Sequence, residues 1–165
     1  MRTDILDPIR QDLLKGLVHL PETASFYLAG GTALSLQLGL RISYDFDFFT
    51  QDRFRSDILS EKINASFEGA RILYLDQDTC EMMIQGVQTS FFRYPYPLVS
   101  PLVEAEEGFS PLKMASLDDL AVMKLSAIGS RGSRKDFYDL YQIYKLHEGF
   151  TGSKLLRCTR EKFGT

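Results

Sequence analysis

The chain has 165 residues, 44% of them hydrophobic and 25% charged, with a formal net charge of −3 and a pI of about 5.4. That is enough for one domain with its own core, or one domain with a small added lobe. No apolar run approaches the length of a membrane-spanning helix, and the charge balance argues against a coat of positive charge for non-specific nucleic-acid binding, leaving room only for a local basic groove. Two histidines, His19 and His147, are too few for a His-rich zinc centre, and Cys80 and Cys158 lack metal-ligand spacing. The opening "MRTDILDPIRQDLL" places acids and a proline where a secretory signal needs an apolar block, so a cytoplasmic location is expected.

In chain order, "DPIRQDLLKGLVHL" has helical spacing, with Pro8 tolerated in a first turn. "SFYLAGG" reads as a short buried strand, "TALSLQLG" as a short helix closed by Gly39, and "DFDFF" as an alternating strand. Ser56 is the expected N-cap of a helix in "SDILSEKINASF". "ARILYL", "CEMMIQ" and "VQTSFFRY" read as strands, the last two joined at Gln85-Gly86 as a hairpin. A proline-rich connection, "YPYPLVSPLVEAEEGFSP", leads to a helix in "SLDDLAVMKLSAI", with Ser116 as cap and Asp119 at its third position. Helices in "SRKDFYDLYQIYKL" and "SKLLRCTREKF" complete the chain. The expected architecture is α+β: a small mixed sheet packed on helices over residues 1–110, then a short helical segment over 111–165.

The chemistry concentrates in "AGGTALSLQLGLRISYDFDFF". On a strand, Asp45 and Asp47 share one face and Phe46 and Phe48 the other. Two adjacent carboxylates are either a solvated strand face or an oxygen-ligand pair for magnesium. Asp76 and Asp78 have the same spacing but fall between strands, where a polar turn is the natural reading. Upstream, Gly30 and Gly31 sit between a strand and a helix with Thr32 behind them. Glycines there let backbone amides approach a phosphate, and equally suit a tight turn with Thr32 as N-cap. Arg41 and Ser43 are placed to contact the same phosphates.

A glycine-rich turn, a short helix and D-x-D on a strand resemble the signature of the DNA polymerase beta-like nucleotidyltransferase superfamily. The wording "GGTAL…RISYDFDFF", followed by "DDLAVMKLSAI…RGSRKDFYDLY", is similar to the AbiEii-type nucleotidyltransferases, toxins of type IV toxin–antitoxin systems. The likeness runs from about Phe26 to Tyr144. It implies that Asp45 and Asp47 bind one or two magnesium ions and that Gly30, Gly31 and Thr32 hold nucleotide phosphate. It also implies that Lys124 and Asp136 belong to the catalytic machinery, that the 3′ end of a transfer RNA accepts an NMP from an NTP, and that a cognate antitoxin regulates the toxin. Two departures stand out. Many superfamily members carry a third acid on a later strand, where "VQTSFFRY" offers Gln88, Thr89 and Ser90; and relatives of this type continue beyond "EKFGT" into a longer helical lobe.

Helical projection of "LDDLAVMKLSAIG" gathers Leu117, Leu120, Ala121, Ala127 and Ile128 on one side, with Asp118, Asp119 and Ser126 opposite. Lys124 falls amid the apolar side, where it either snorkels or meets an anion such as a triphosphate or Asp45 and Asp47. On the next helix Phe137, Leu140, Tyr141, Ile143 and Tyr144 form the expected apolar side. Asp136 lies within it and Asp139 nearer solvent. Asp136 is a first-turn capping acid, a general base, or a residue that orients Lys124 or Arg131. Arg131, Arg134 and Lys135 oppose the helix dipole, which suits a bound polyanion or a solvated turn. Two rivals remain: the same chemistry with a protein or an antibiotic as acceptor, and a degenerate module that binds a nucleotide or partner without turnover.

Overall fold

The computed structural model describes residues 1–106 and 108–164. Helix α1 (Pro8–Val18) is capped by Asp7, whose carboxylate accepts the Arg10 N–H at 2.9 Å, and Pro8 occupies the first turn, where its missing N–H costs nothing. Strand β1 (Tyr27–Ala29) passes directly into α2 (Gly30–Leu38), which ends on Gly39 in the left-handed region. Then follow β2 (Phe46–Thr50), α3 (Ser56–Ser66), β3 (Arg71–Asp76), β4 (Thr79–Ile84) and β5 (Val87–Arg93). Short strands β6 (Val103–Glu104) and β7 (Lys113–Met114) precede helices α4 (Leu117–Ser130), α5 (Arg134–Leu146) and α6 (Gly152–Phe163).

The strands form one mixed seven-stranded sheet in the order β3-β4-β5-β2-β1-β7-β6. This is the α+β architecture that the order of elements implies. β2 runs parallel to β5 and antiparallel to β1, while β7 is parallel to β1. Alternation on β2 divides the sheet into two faces. Phe46 and Phe48 are fully buried, and Phe48 stacks on Phe91 of β5 with centroids 5.1 Å apart. Asp47 and Phe49 point to the other face, where α4 packs and a cleft opens.

Local signals mostly produced the expected elements. Gln85 and Gly86 both adopt positive φ between β4 and β5, the geometry a tight hairpin needs. Asp76 turns the chain by accepting the Asp78 N–H on its side chain at 2.9 Å, so this second D-x-D is a turn. Ser116 caps α4, accepting from Asp119 N–H at 3.0 Å. Ser56 is not an N-cap: Arg55 takes that place, and Ser56 instead donates its hydroxyl to the Asp76 carbonyl. The proline-rich connection contains β6, which pairs with β7 at the sheet edge.

Two helix faces differ from the projection. Asp119 of α4 is fully buried rather than opposite the core. It accepts from the Val99 and Ser100 amides, the Ser116 hydroxyl and, at 2.8 Å, the buried Lys162 ammonium of α6. The amino-terminal part of the polar face of α4, Asp118 and Asp119, is thus interior, while Ser126 stays exposed. On α5 the buried face is Asp136, Asp139, Leu140 and Ile143 at i, i+3, i+4 and i+7, whereas Phe137, Tyr141 and Tyr144 are more than half exposed. Ion pairing of the two acids sets the rotation of α5, overriding the pull of its aromatics.

Candidate active site

The cleft begins where β1 meets α2. Gly30 has φ +66°, a left-handed conformation that strains an L side chain, and a Cβ there would overlap Asp47 Oδ2. A Cβ on Gly31 would lie 2.6 Å from Arg41 Nη2 and 2.8 Å from Ser43 Oγ. Each glycine therefore makes room for a side chain singled out in the sequence. No side chain caps the amino end of α2. Thr32 is buried, and its hydroxyl donates to the Asp45 carbonyl at 2.5 Å, so it ties the helix to the acidic segment.

Asp45 lies one residue before β2 and is exposed, while Asp47 is half-buried within the strand. Among the described residues neither carboxylate accepts a hydrogen bond. Burial first, and then the charge of Asp45, push the Asp47 carboxyl up to about 6; Lys124 and Arg131 pull it back, and Glu81 adds to the rise. A half-buried, unsatisfied carboxylate beside a second one is the donor chemistry that a hard divalent cation neutralises. Gly30, lacking a Cβ, lets Asp47 Oδ2 pack against the start of α2. The residues therefore fit a magnesium ion, although among the described residues no group of three His, Cys, Asp or Glu gathers at metal-binding distance.

Facing Asp47 across a cleft of about 300 Å³ stand Lys124, Arg131 and Asp136. Lys124 is buried, with Nζ 3.0 Å from Asp136 and 2.7 Å from Asp139. Arg41 forks onto both oxygens of Asp139 at 2.8 and 2.7 Å. Arg131 forks onto Asp136 at 2.9 and 3.1 Å, and Ser133 adds a hydroxyl at 2.7 Å. The row Arg41–Asp139–Lys124–Asp136–Arg131 alternates in sign, and three cations against two carboxylates leave one positive charge in excess. The Arg131 guanidinium and then the Ser133 and Lys124 donors outweigh burial and hold the Asp136 carboxyl well below the usual carboxylate range. Burial opposes ionisation of Asp139, but Arg41 and Lys124 outweigh it and leave that carboxyl below its ordinary value. Asp139 is thus interior, where helical projection placed it toward solvent. The signal that could have found it is its i, i+3 spacing from Asp136, which puts both acids on one helix face.

Register brings in one further acid. Asp47 pairs with Ser90 on β5, and Ser90 pairs with Glu81 on β4, so the three share a row on the cleft face. Two strand spacings place the Glu81 backbone about 10 Å from that of Asp47, with the small Ser90 between. The strand "VQTSFFRY" indeed contributes no carboxylate. The acid in that row stands one strand further out, which the sequence shows only once the pairing is known.

The profile described as Nucleotidyl transferase AbiEii toxin, Type IV TA system, matches residues 12–165. The chain belongs to the AbiEii nucleotidyltransferase toxin family. This AbiEii-family member is 38% identical to an uncharacterised protein of Aquifex aeolicus (strain VF5) over 125 residues, spanning 74% of this chain and 59% of that one. The chain spans less than two thirds of the curated relative it matches. Its fold is similar to that of JHP933 from Helicobacter pylori, with a TM-score of 0.66 and 20% identity over 96% of this chain and 73% of the other. It is also similar to the antibiotic-resistance factor ANT(2″)-Ia, with a TM-score of 0.65 and 16% identity over 93% and 91% of the two chains. At these identities the structural likeness establishes the fold. Among the described residues no helix is long and apolar enough to cross a membrane.

Proposed function

We propose that this chain transfers an NMP from an NTP to a hydroxyl at the 3′ end of a transfer RNA, as a cytoplasmic toxin restrained by a cognate antitoxin. The observation that carries the nucleotidyl-transfer chemistry is the opposition of Asp47 and the uncapped α2 amino end to the excess positive charge of the Lys124–Arg131 row.

Asp45 and Asp47 would hold one or two magnesium ions, which when bound neutralise triphosphate charge and polarise the reacting phosphoryl group. The backbone of Gly30 and Gly31 at the start of α2 receives phosphate oxygens, because first-turn amides and the helix dipole favour anions. Thr32 fixes that turn to Asp45 from beneath. Arg131 forks onto Asp136 through Nε and Nη2 while its side chain remains largely exposed, so it presents charge to the cleft. Lys124 is committed to two acids and acts mainly by balancing them. Asp136, gripped by three donors and held strongly ionised, is a positioning residue for Lys124 and Arg131 rather than the base. Arg41 and Ser43, packed over Gly31, steady the phosphate turn, with Arg41 anchored by Asp139. The acceptor hydroxyl attacks the α-phosphorus in line and pyrophosphate leaves. The hydroxyl proton passes to solvent water at the exposed Asp45 end of the cleft. Positioning and electrostatics carry most of the rate.

ANT(2″)-Ia, an antibiotic-resistance factor, matches this chain over nearly its whole length, which favours one second reading: a small cationic acceptor drawn to the acidic lip of Asp45, Asp47 and Glu81. Incubation with α-labelled NTPs, magnesium, total RNA and an aminoglycoside separates the two. Label on tRNA-sized RNA, lost in Asp45→Asn and Asp47→Asn, supports the proposal; label on the aminoglycoside selects the second reading. Magnesium-dependent NTP binding with no labelled acceptor contradicts both and leaves a binding module.

A further inference from the structure

α5 turns an unusual surface outward. Its exposed side chains are Arg134, Lys135, Phe137, Tyr138, Tyr141, Tyr144, Lys145 and Leu146, and its two acids, Asp136 and Asp139, are buried. Every exposed position is therefore basic, aromatic or aliphatic. Phe137, Tyr141 and Tyr144 are 55%, 55% and 56% exposed, a large apolar area to leave in water. They border a groove of about 320 Å³ floored by Leu140 of α5 and by Phe150 and Leu155. Lys145 holds its ammonium 5.6 Å from the Tyr141 ring centroid, so cation and ring are presented together. The three basic residues lie on a chain whose net charge is −3, which makes this a local charge asymmetry rather than a general property.

An apolar protein partner would explain the rings but not the lack of any exposed acid among them. A membrane surface would explain the cations, but three tyrosine hydroxyls on one helix suit a hydrated partner better. Single-stranded nucleic acid explains both, because bases stack on exposed aromatic faces while the backbone pairs with Lys and Arg. Position agrees. Asp136 lines the catalytic cleft, and the outer face begins at its exposed sequence neighbours Lys135 and Phe137.

We propose that the outer face of α5 is the platform on which the single-stranded end of the RNA acceptor lies as it enters the cleft. The inference rests on the RNA-acceptor reading and assigns it a surface. Phe137, Tyr141 and Tyr144 stack successive bases, while Arg134, Lys135 and Lys145 meet the phosphates.

The test is binding of a fluorescent single-stranded RNA oligomer by anisotropy, with and without magnesium and NTP. It compares wild type, Phe137→Ala/Tyr141→Ala and Arg134→Glu/Lys145→Glu. These positions are exposed, and far-UV circular dichroism is expected to show both variants folded as wild type. The aromatic variant is expected to weaken RNA binding by on the order of tenfold or more. The charge variant is expected to weaken it and flatten its salt dependence. NTP binding stays unchanged in both. RNA affinity that is equal in all three proteins overturns the inference while leaving RNA as acceptor. A wild type that binds no RNA and labels another acceptor overturns both. Self-association that is lost in the aromatic variant while RNA affinity holds assigns the face to protein contact and also overturns it.

Discussion

Gly30 and Asp47 share one space: a Cβ on residue 30 would overlap Asp47 Oδ2. The backbone that makes this approach possible is left-handed at Gly30, which costs an L residue about 1–2 kcal/mol. Gly30→Ala is therefore expected to lower stability by roughly that amount and to displace the carboxylate. Denaturant unfolding and label transfer measured together check this. A modest fall in stability with a loss of activity of a hundredfold or so, in the range of a displaced catalytic group, is the expected pattern.

Lys124 is enclosed by Asp136 and Asp139 in a nearly dry environment. Removing one partner of such a network strands the others, at a cost of about 3–5 kcal/mol. Lys124→Met leaves two buried acids short of a cation and should destabilise the fold by that order. Asp136→Asn should reduce activity through the loosened Arg131 without removing a limb of the pH–rate profile. Loss of the limb would restore Asp136 as the base.

Asp47 titrates near 6 against an ordinary 3.8, raised by burial and by Asp45. A raised carboxyl binds its proton more tightly folded than unfolded. Between pH about 4 and 6 the unfolded chain thus carries fewer protons at this group, and its contribution to stability falls as pH rises through that window. Urea unfolding should show this slope in wild type, without added divalent cation, relative to Asp47→Asn. Asp45→Asn should bring the Asp47 value down in an NMR titration.

Glu81 stands in the cleft row with Ser90 and Asp47 and shares the field at Asp47. Glu81→Gln is expected to raise the magnesium concentration needed for half-maximal activity several-fold, with stability unchanged. Asp78→Asn, in the β3–β4 turn, serves as the control and should leave the magnesium requirement as it is.

Much of this site was legible before the fold. Gly30 and Gly31 stand at the expected strand-to-helix junction, although they open α2 rather than precede it, and of the two acids only Asp47 stands in β2, Asp45 lying one residue before it. Asp139 and Asp119 were misplaced for one reason. Helical projection assumes that apolar residues choose the buried face, whereas here Lys124, Arg41 and Lys162 bring their own partners inside. The inversion of α5, with rings outward and acids inward, follows from the same pairing. Glu81 depends on strand register across β2, β5 and β4, and no local pattern specifies which strands become neighbours. The two-residue β6 has too little sequence to signal itself, and forms because β7 lies beside it.

The central claim is that Asp47 secures a divalent cation that carries the triphosphate to the Gly30–Gly31 turn. It is tested most directly by electron paramagnetic resonance of Mn²⁺ with NTP in the presence of wild type, Asp45→Asn and Asp47→Asn. Wild type should bind the Mn²⁺–NTP complex, and Asp47→Asn should lose most of that binding while remaining folded. Equal binding by wild type and a folded Asp47→Asn would contradict the account.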